Sequence, residues 1–366
     1  MSKIISIATS VPEYKCEQDE LFGFADKIFS ATEEETRKLK FMYRQSGISK
    51  RYSVIPDFNV PVSERLFFPA TNDLEPFPGV EMRMALYNEH ACKLSVQAIE
   101  DCIKDKINKK DITHLITVSC TGISAPGLDL QVMELMELPN NIVRTAVNFM
   151  GCYAAVHALK LADAFCNTNP KANIVIVCTE LCTLHFQKTN SVDNMTASLL
   201  FGDGSAAVLL QHDNSKEPGI RLKSFFSDVS FKGKNEMAWE VSSKGFIMTL
   251  TGYVPALIKE DFKGLVTKAL EAANENIDDI THWCIHPGGK QILQSVCSSL
   301  NIAPEHLKYA YEVLNDYGNM SSATILFVLQ KMLHEFNNNI QKGPSSIFGA
   351  AFGPGLTMET FTASYA

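Results

Sequence analysis

The sequence lacks the marks of a membrane protein and of a nucleic-acid-binding protein. It contains no stretch of about 18 apolar residues, so no transmembrane helix is expected. The formal net charge is −8, which argues against a nucleic-acid partner. No secretory leader is recognised, because the apolar run after Lys3 is short and Pro12 follows it closely. We therefore predict a cytoplasmic protein that binds neither a membrane nor nucleic acid.

The sequence also lacks a cysteine framework. Its ten cysteines are scattered, and no two of them form a C-x-x-C pair. The nearest approach to a metal cluster is Cys178, Cys182 and His185, and no second ligand pair accompanies these three. We expect neither a metal site nor disulfides, but a reducing compartment in which one cysteine is reactive.

The composition is that of a globular enzyme, with 46% hydrophobic and 20% charged residues among 366. Apolar β-rich runs alternate with helical spacing, which predicts mixed α/β layers. A polar segment at 212–219 predicts a boundary between an N-terminal half, 1–212, and a C-terminal half, 219–366. The predicted strands are 115–120, 174–178, 206–210, 283–285 and two within 345–363, and the predicted helices are 130–138, 152–165, 264–276 and 321–333.

Cys152 is the first candidate for chemistry. It follows Gly151 and opens a helical run. The unpaired N–H groups and the positive end of the dipole at a helix N-terminus both favour a thiolate. A buried structural cysteine is the commoner alternative on these grounds alone.

His286 and Asn319 are the next candidates. His286 ends an apolar strand before a glycine-rich turn, which is a common position for a catalytic group, although a structural histidine is the commoner case. Asn319 precedes a helix, where asparagine is also a favoured N-cap. Together with Cys152 they suggest acyl-thioester chemistry, in which a thiolate attacks a carbonyl and imidazole and amide groups donate hydrogen bonds to an oxyanion.

Two hydrolase alternatives fail at the cysteine. The C-G-[SA]-C-[WY] signature of papain-like proteases is absent. The nucleophile elbow of α/β-hydrolases needs glycines two residues on either side of the nucleophile, and these positions hold Met150 and Ala154.

Six short segments occur together in this order: 119–122 (SCTG) with 126–127 (PG), 148–154 (NFMGCYA), 200–207 (LFGDGSAA), 286–289 (HPGG), 317–323 (YGNMSSA) and 352–357 (FGPGLT). In order and spacing they resemble the chalcone and stilbene synthase family, the type III polyketide synthases. The resemblance covers nearly the whole chain. It implies the thiolase fold, a duplicated αβαβα layered α/β architecture, and a homodimer without metal or redox cofactor.

The resemblance also implies a mechanism. Cys152 takes an acyl starter from acyl-CoA, and His286 pairs with its thiolate as an imidazolium. His286 and Asn319 then stabilise the enolate formed when malonyl-CoA loses carbon dioxide. Iterative condensation and cyclisation give a pyrone, resorcinol or phloroglucinol type of product.

Eight residues fall at pocket positions of the family. Phe201 matches a gate phenylalanine, and Met248 stands at the second gate. Trp239 replaces a glycine of the plant enzymes, so the product should differ from that of chalcone synthase. The remaining five are Cys120, Thr121, Cys182, His185 and Ser321.

Five residues are candidates for binding CoA. Lys38 fits one of the positions at which the family binds the CoA phosphates. Phe41 and Gln45 occupy two others, where Lys40 and Arg44 substitute after a small shift of the alignment. A solvated basic helix face explains these charges equally well. Gly288 and Gly289 allow a ligand to approach the backbone closely.

Three other functions stay open at this point. A ketoacyl synthase that uses an acyl carrier protein has the same fold and triad but extends its substrate once. A cysteine hydrolase would cleave acyl thioesters without carbon gain, and a non-catalytic scaffold would need none of the three reactive residues.

Overall fold

The structure, a computed structural model, describes residues 1–338 and 345–365. Residues 339–344 and 366, which belong to the predicted C-terminal half, lie outside the described residues. Within these ranges no helix is both long and apolar enough to cross a membrane. All ten cysteines are free and buried.

The described residues form thirteen strands and ten α-helices. The strands are β1 (Ser2–Ser10), β2 (Tyr14–Glu17), β3 (Lys50–Ser53), β4 (His114–Ser119), β5 (Val143–Asn148), β6 (Asn173–Leu181), β7 (Asp203–His212), β8 (Ile220–Val229), β9 (Met237–Ser242), β10 (Gly245–Leu250), β11 (His282–Ile285), β12 (Ser345–Gly353) and β13 (Thr357–Tyr365). The helices are α1 (Gln18–Phe29), α2 (Glu33–Gln45), α3 (Val80–Ile103), α4 (Leu128–Met136), α5 (Ala154–Thr168), α6 (Val192–Leu200), α7 (Val254–Ala273), α8 (Lys290–Leu300), α9 (Lys308–Tyr317) and α10 (Thr324–Asn338).

One large sheet organises the fold. Its nine strands run in the order β11-β12-β13-β8-β1-β7-β6-β4-β5. Five neighbouring strands, β1, β7, β6, β4 and β5, come from the predicted N-terminal half. The other four, β8, β13, β12 and β11, come from the predicted C-terminal half. The two groups meet where β1 pairs with β8, with Ile4 opposite Ile220. The division into halves stays a prediction, which this strand order favours.

The central strands form because both of their faces are buried. Every residue of β4 is buried, and so is nearly every residue of β6, which explains their continuous apolar runs. Helices α3, α5, α7 and α10 pack against the sheet. The thiolase-like α/β fold expected from the sequence is confirmed by the solved structures compared below.

The predicted elements are largely confirmed, with differences at their ends. Helix α5 begins at Ala154, two residues after Cys152. Helix α7 begins ten residues before the predicted 264, because Pro255 fits the first turn of a helix. The predicted helix 321–333 begins with a 3₁₀ turn, Ser321–Ala323, before α10.

The strand ends explain where the site forms. β4 pairs in parallel with β5 and with β6, and β11 pairs in parallel with β12. The segments that follow β4, β5, β6 and β11 carry Cys120, Cys152, Cys182 and His286 respectively. Ligand sites of α/β sheets lie at the carboxyl ends of parallel strands.

Candidate active site

The position before Cys152 accepts only glycine, because of its backbone conformation and a close neighbour. Gly151 has a φ of +88°, and a Cβ on it would lie 2.2 Å from the Cδ of Pro354. Phe149, at the end of β5, also has a positive φ of 61°. This turn brings the chain from the sheet to α5 and leaves Cys152 buried, with 8% of its surface exposed.

The Cys152 thiol lies among polar groups. Its Sγ donates to the Oγ of Ser321 at 3.6 Å. Burial raises the pKa of Cys152 to about 11, although the hydrogen bond with Ser321 opposes this shift and the charge of Glu180 adds to it. The sequence led us to expect a thiolate stabilised by the helix terminus. The thiolate stays a prediction, and burial of the sulfur opposes its charge.

The His286 side chain is buried and has no polar partner. It follows β11, is 1% exposed, and neither Nδ1 nor Nε2 makes a hydrogen bond within the described residues. Burial lowers the pKa of His286 to about 3, which favours the neutral ring. The imidazolium stays a prediction, and burial of the ring opposes its positive charge.

The Asn319 amide has a fixed orientation. Its Oδ1 accepts from the backbone N–H of Ser321 at 2.8 Å and from the Oγ1 of Thr324 at 3.3 Å. Its Nδ2 donates to the carbonyl oxygen of Gly288 at 3.4 Å. The N–H side of the amide therefore faces the turn that follows His286.

These contacts bring the three predicted catalytic residues together. Cys152 contacts Ser321, Ser321 bonds to Asn319, and Asn319 bonds to Gly288, two residues beyond His286. Their roles remain predictions.

A carboxylate that the sequence analysis missed lies beside this group. Glu180 is fully buried, and its Oε2 accepts from the backbone N–H of Cys120 at 2.9 Å and from the Oγ1 of Thr121 at 2.8 Å. Its Oε1 accepts from the Oγ of Ser322. Burial raises the pKa of Glu180, and these hydrogen bonds oppose the shift. Its signal in the sequence is a charged residue near the end of the apolar strand β6.

An apolar cavity with about 620 Å³ of empty space, part of it open to solvent, lies next to this group. Five of the predicted pocket residues line it: Cys182, His185, Phe201, Trp239 and Met248. The other three predicted pocket residues, Cys120, Thr121 and Ser321, lie outside its lining. They make hydrogen bonds with Glu180, Cys152 or Asn319 instead. Cys152, His286 and Asn319 also lie outside the lining.

Phe201 lies at the boundary between the cavity and the catalytic candidates. Its side chain lines the cavity, while its backbone forms a β-bridge with Asn319. The Nη1 of Arg51, which the sequence analysis did not single out, donates to the carbonyl oxygen of Phe201. The Arg51 stem runs past Gly318, where a Cβ would lie 2.7 Å from its Cδ.

The predicted CoA residues lie on two neighbouring surfaces. Lys38, Lys40 and Arg44 are exposed on α2 and form no ion pair among the described residues. Gly288 and Gly289 form the half-buried turn before α8. The two surfaces meet where the stem of Lys290, next to Gly289, lies 3.1 Å from the Cβ position of Gly47, just beyond α2.

Two family models match the chain. The N-terminal domain of chalcone and stilbene synthases matches residues 1–214, and the C-terminal domain matches residues 222–364.

Similar proteins are polyketide synthases. The probable polyketide synthase 1 of Dictyostelium discoideum is 31% identical over 98% of this chain, which spans only 11% of that protein's length. The alpha-pyrone synthesis polyketide synthase-like Pks18 of Mycobacterium tuberculosis is 29% identical over 97% of this chain and 89% of its own length. The crystal structure of PKS-I from the brown alga Ectocarpus siliculosus superposes with a TM-score of 0.92 at 27% identity, over 100% of this chain and 98% of that one.

Proposed function

Because the chain belongs to the chalcone and stilbene synthase family of type III polyketide synthases, we propose that it extends an acyl starter held on Cys152 with malonyl-CoA units. The observation that carries this proposal is the connected group of Cys152, Ser321, Asn319 and the turn after His286. An acyltransferase of this kind needs a nucleophile and an oxyanion site within one group.

Loading of the starter is the first step. The neutral imidazole of His286 takes the thiol proton, and the Cys152 sulfur attacks the thioester carbonyl of acyl-CoA. The bond from that carbonyl to the CoA sulfur breaks, and His286 returns the proton to the departing CoA thiolate. Both ring nitrogens of His286 are free of protein partners among the described residues, so the ring is available for this transfer.

Chain extension follows on the same residues. The bond between the carboxylate and the α-carbon of malonyl-CoA breaks, carbon dioxide leaves, and the electron pair forms an enolate. The Nδ2 of Asn319 and a ring N–H of His286 donate hydrogen bonds to the enolate oxygen. The enolate carbon attacks the Cys152 thioester, a carbon–carbon bond forms, and the cysteine thiolate is released for the next cycle. Cyclisation then yields a pyrone, resorcinol or phloroglucinol type of product.

The lining of the cavity favours an apolar acyl starter. Leu21, Phe58, Phe186 and Ala197 line it together with the gate residues Phe201 and Met248. CoA itself would lie between α2 and the turn at Gly288 and Gly289, with its phosphates near Lys38, Lys40 and Arg44.

We also propose a homodimer. Strand β5 is one of the two edge strands of the large sheet, and Val143 at its start is 48% exposed. Ile123, Leu130 and Leu135, in and beside α4, expose further apolar surface. An edge strand flanked by exposed apolar side chains is suited to pairing with a second copy of the chain.

Product analysis tests the proposed function. The protein is incubated with radiolabelled malonyl-CoA and a panel of acyl-CoA starters of different length and aromaticity, and the products are read by mass spectrometry. We expect products longer than the starter by several two-carbon units, and no product from Cys152→Ala, which should keep its dimeric mass in light scattering. Extension once only and only from a malonyl carrier protein, free acid without carbon gain, or product from Cys152→Ala would each contradict the proposal.

A further inference from the structure

Two aromatic side chains each donate a hydrogen bond to the turn that follows β4. The Nε1 of Trp239 donates to the carbonyl oxygen of Cys120 at 2.7 Å. The Nε2 of His185 lies 2.7 Å from the carbonyl oxygen of Thr121. Two successive carbonyl groups are thus satisfied by ring N–H groups from two different elements.

The hydrogen bonds of His185 fix its tautomer. The backbone N–H of Phe246 donates to Nδ1 at 3.0 Å, so Nε2 carries the proton and donates to Thr121. The His185 ring stacks on the Phe246 ring with centroids 4.2 Å apart, and Trp239 contacts both rings edge-on. Both nitrogens of His185 are therefore occupied by protein partners, and the ring donates its N–H to the turn. We call Trp239 and His185 the ring clamp.

The turn held by the ring clamp contacts the residue before the nucleophile. The Sγ of Cys120 accepts the backbone N–H of Gly151 at 2.9 Å. Gly151 is already confined, because the position of its missing Cβ is occupied by Pro354. The placement of Cys152 thus depends on the placement of Cys120, and Cys120 is held by Trp239.

We propose that the ring clamp positions the Cys120–Thr121 turn and, through the Cys120 sulfur, the Cys152 nucleophile. Trp239 and His185 are positioning residues, and this role rests on the proposed function of Cys152. They also line the cavity, so the competing explanation is that Trp239 acts only by filling space.

A change of Trp239 to phenylalanine separates the two explanations. Trp239→Phe keeps an aromatic ring in the cavity but removes the N–H. We expect kcat to fall about tenfold, with KM within about twofold, because the buried carbonyl of Cys120 loses its donor. The pH at which Cys152 becomes half-reactive towards iodoacetamide should move upward, because Sγ is less well held near Ser321. Trp283→Phe is the matched control, since Trp283 is the chain's other tryptophan and packs on Phe348.

A double-mutant cycle tests the link through the sulfur. Cys120→Ala should lower kcat by a similar factor, and the double variant of Trp239 and Cys120 should lose little more than either single variant. Cys120→Ala alone keeps the test decisive if Trp239→Phe does not fold.

Three outcomes would overturn the ring clamp. These are wild-type kcat in Trp239→Phe with loss only in Trp239→Gly, wild-type kcat in Cys120→Ala, or losses that multiply fully in the double variant. Product formation by Cys152→Ala would instead reject the proposed function itself, so the two failures are distinguishable.

Discussion

The two sides of the candidate site are built in opposite ways. On the sulfur side, the Cys120–Thr121 turn is bonded to Glu180, to the ring clamp and to the backbone beside Cys152. On the imidazole side, His286 is as deeply buried but makes no side-chain hydrogen bond among the described residues. Buried polar groups normally have partners, so an unpaired ring marks a position kept for a ligand.

The difference separates stability from activity. Substitutions on the sulfur side should lower the free energy of unfolding, because the buried partners of the changed side chains would be left without hydrogen bonds. A change of His286 should lower activity more than stability, because no hydrogen bond among the described residues depends on its ring. Each prediction below tests this contrast, beginning with the largest effect.

The largest effect is expected for His286→Ala. Decarboxylation of malonyl-CoA should fall by about 10²- to 10³-fold, as when a donor to an oxyanion is removed. The urea midpoint should move less than it does for changes at Glu180. Decarboxylation is measured by release of labelled carbon dioxide, and unfolding by circular dichroism.

His114→Ala is the matched control for this change. His114 is also largely buried, but it begins β4 and so lies at the opposite end of the strand from the site. It should leave decarboxylation unchanged. A large loss of stability in His286→Ala, with activity retained, would contradict the contrast.

The second effect concerns Glu180→Gln. The amide presents a donor where the carboxylate accepted bonds from Cys120, Thr121 and Ser322, so we expect about 1–3 kcal/mol of lost stability. We also expect a smaller loss of kcat than for His286→Ala. Equilibrium urea unfolding gives the first quantity and steady-state kinetics the second. A variant of unchanged stability would show that the carboxylate is dispensable.

The sequence named residues on both sides of the site, but not the hydrogen bonds that hold the sulfur side together. His286 and Asn319 were found because local motifs follow a strand or precede a helix. The hydrogen bonds of Cys120 with Trp239 and Glu180 were not predicted, because these residues lie 119 and 60 positions away in the chain. Hydrogen bonds between distant segments depend on tertiary packing, which local periodicity does not report.

Tertiary packing also determines the pKa of Cys152 and the pairing of β9 with β10, so the sequence predicted neither of them. A helix terminus is visible in the sequence, whereas the degree of burial that raises the pKa is not. Trp239 and Met248 were treated as separate pocket positions, but they are cross-strand partners in this hairpin. The core strands β4 and β6 were predicted well because their apolar runs depend on burial of both faces alone.

A smaller effect is expected in the pH dependence of stability. Burial raises the pKa of Glu180 above its ordinary value of 4.5, so the folded chain favours the protonated carboxyl. The stabilisation is therefore complete below pH 4.5 and is lost as pH rises through the folded-state pKa. The free energy of unfolding of the wild type, relative to Glu180→Gln, should fall over this range. A difference that stays constant with pH would mean that the carboxyl keeps its ordinary pKa.

The smallest effect is expected outside both sides of the site, on α2. Single changes of Lys38, Lys40 or Arg44 to alanine should raise the KM for malonyl-CoA about two- to fivefold at low salt and leave kcat unchanged, because exposed charges contribute little. The effect should disappear at about 0.5 M salt, where screening is strong. Lys171→Ala is the control, since Lys171 is also exposed but precedes β6, away from the strand ends that carry the site. An equal rise of KM in the control would assign the effect to overall charge, and the CoA phosphates would then have to bind elsewhere.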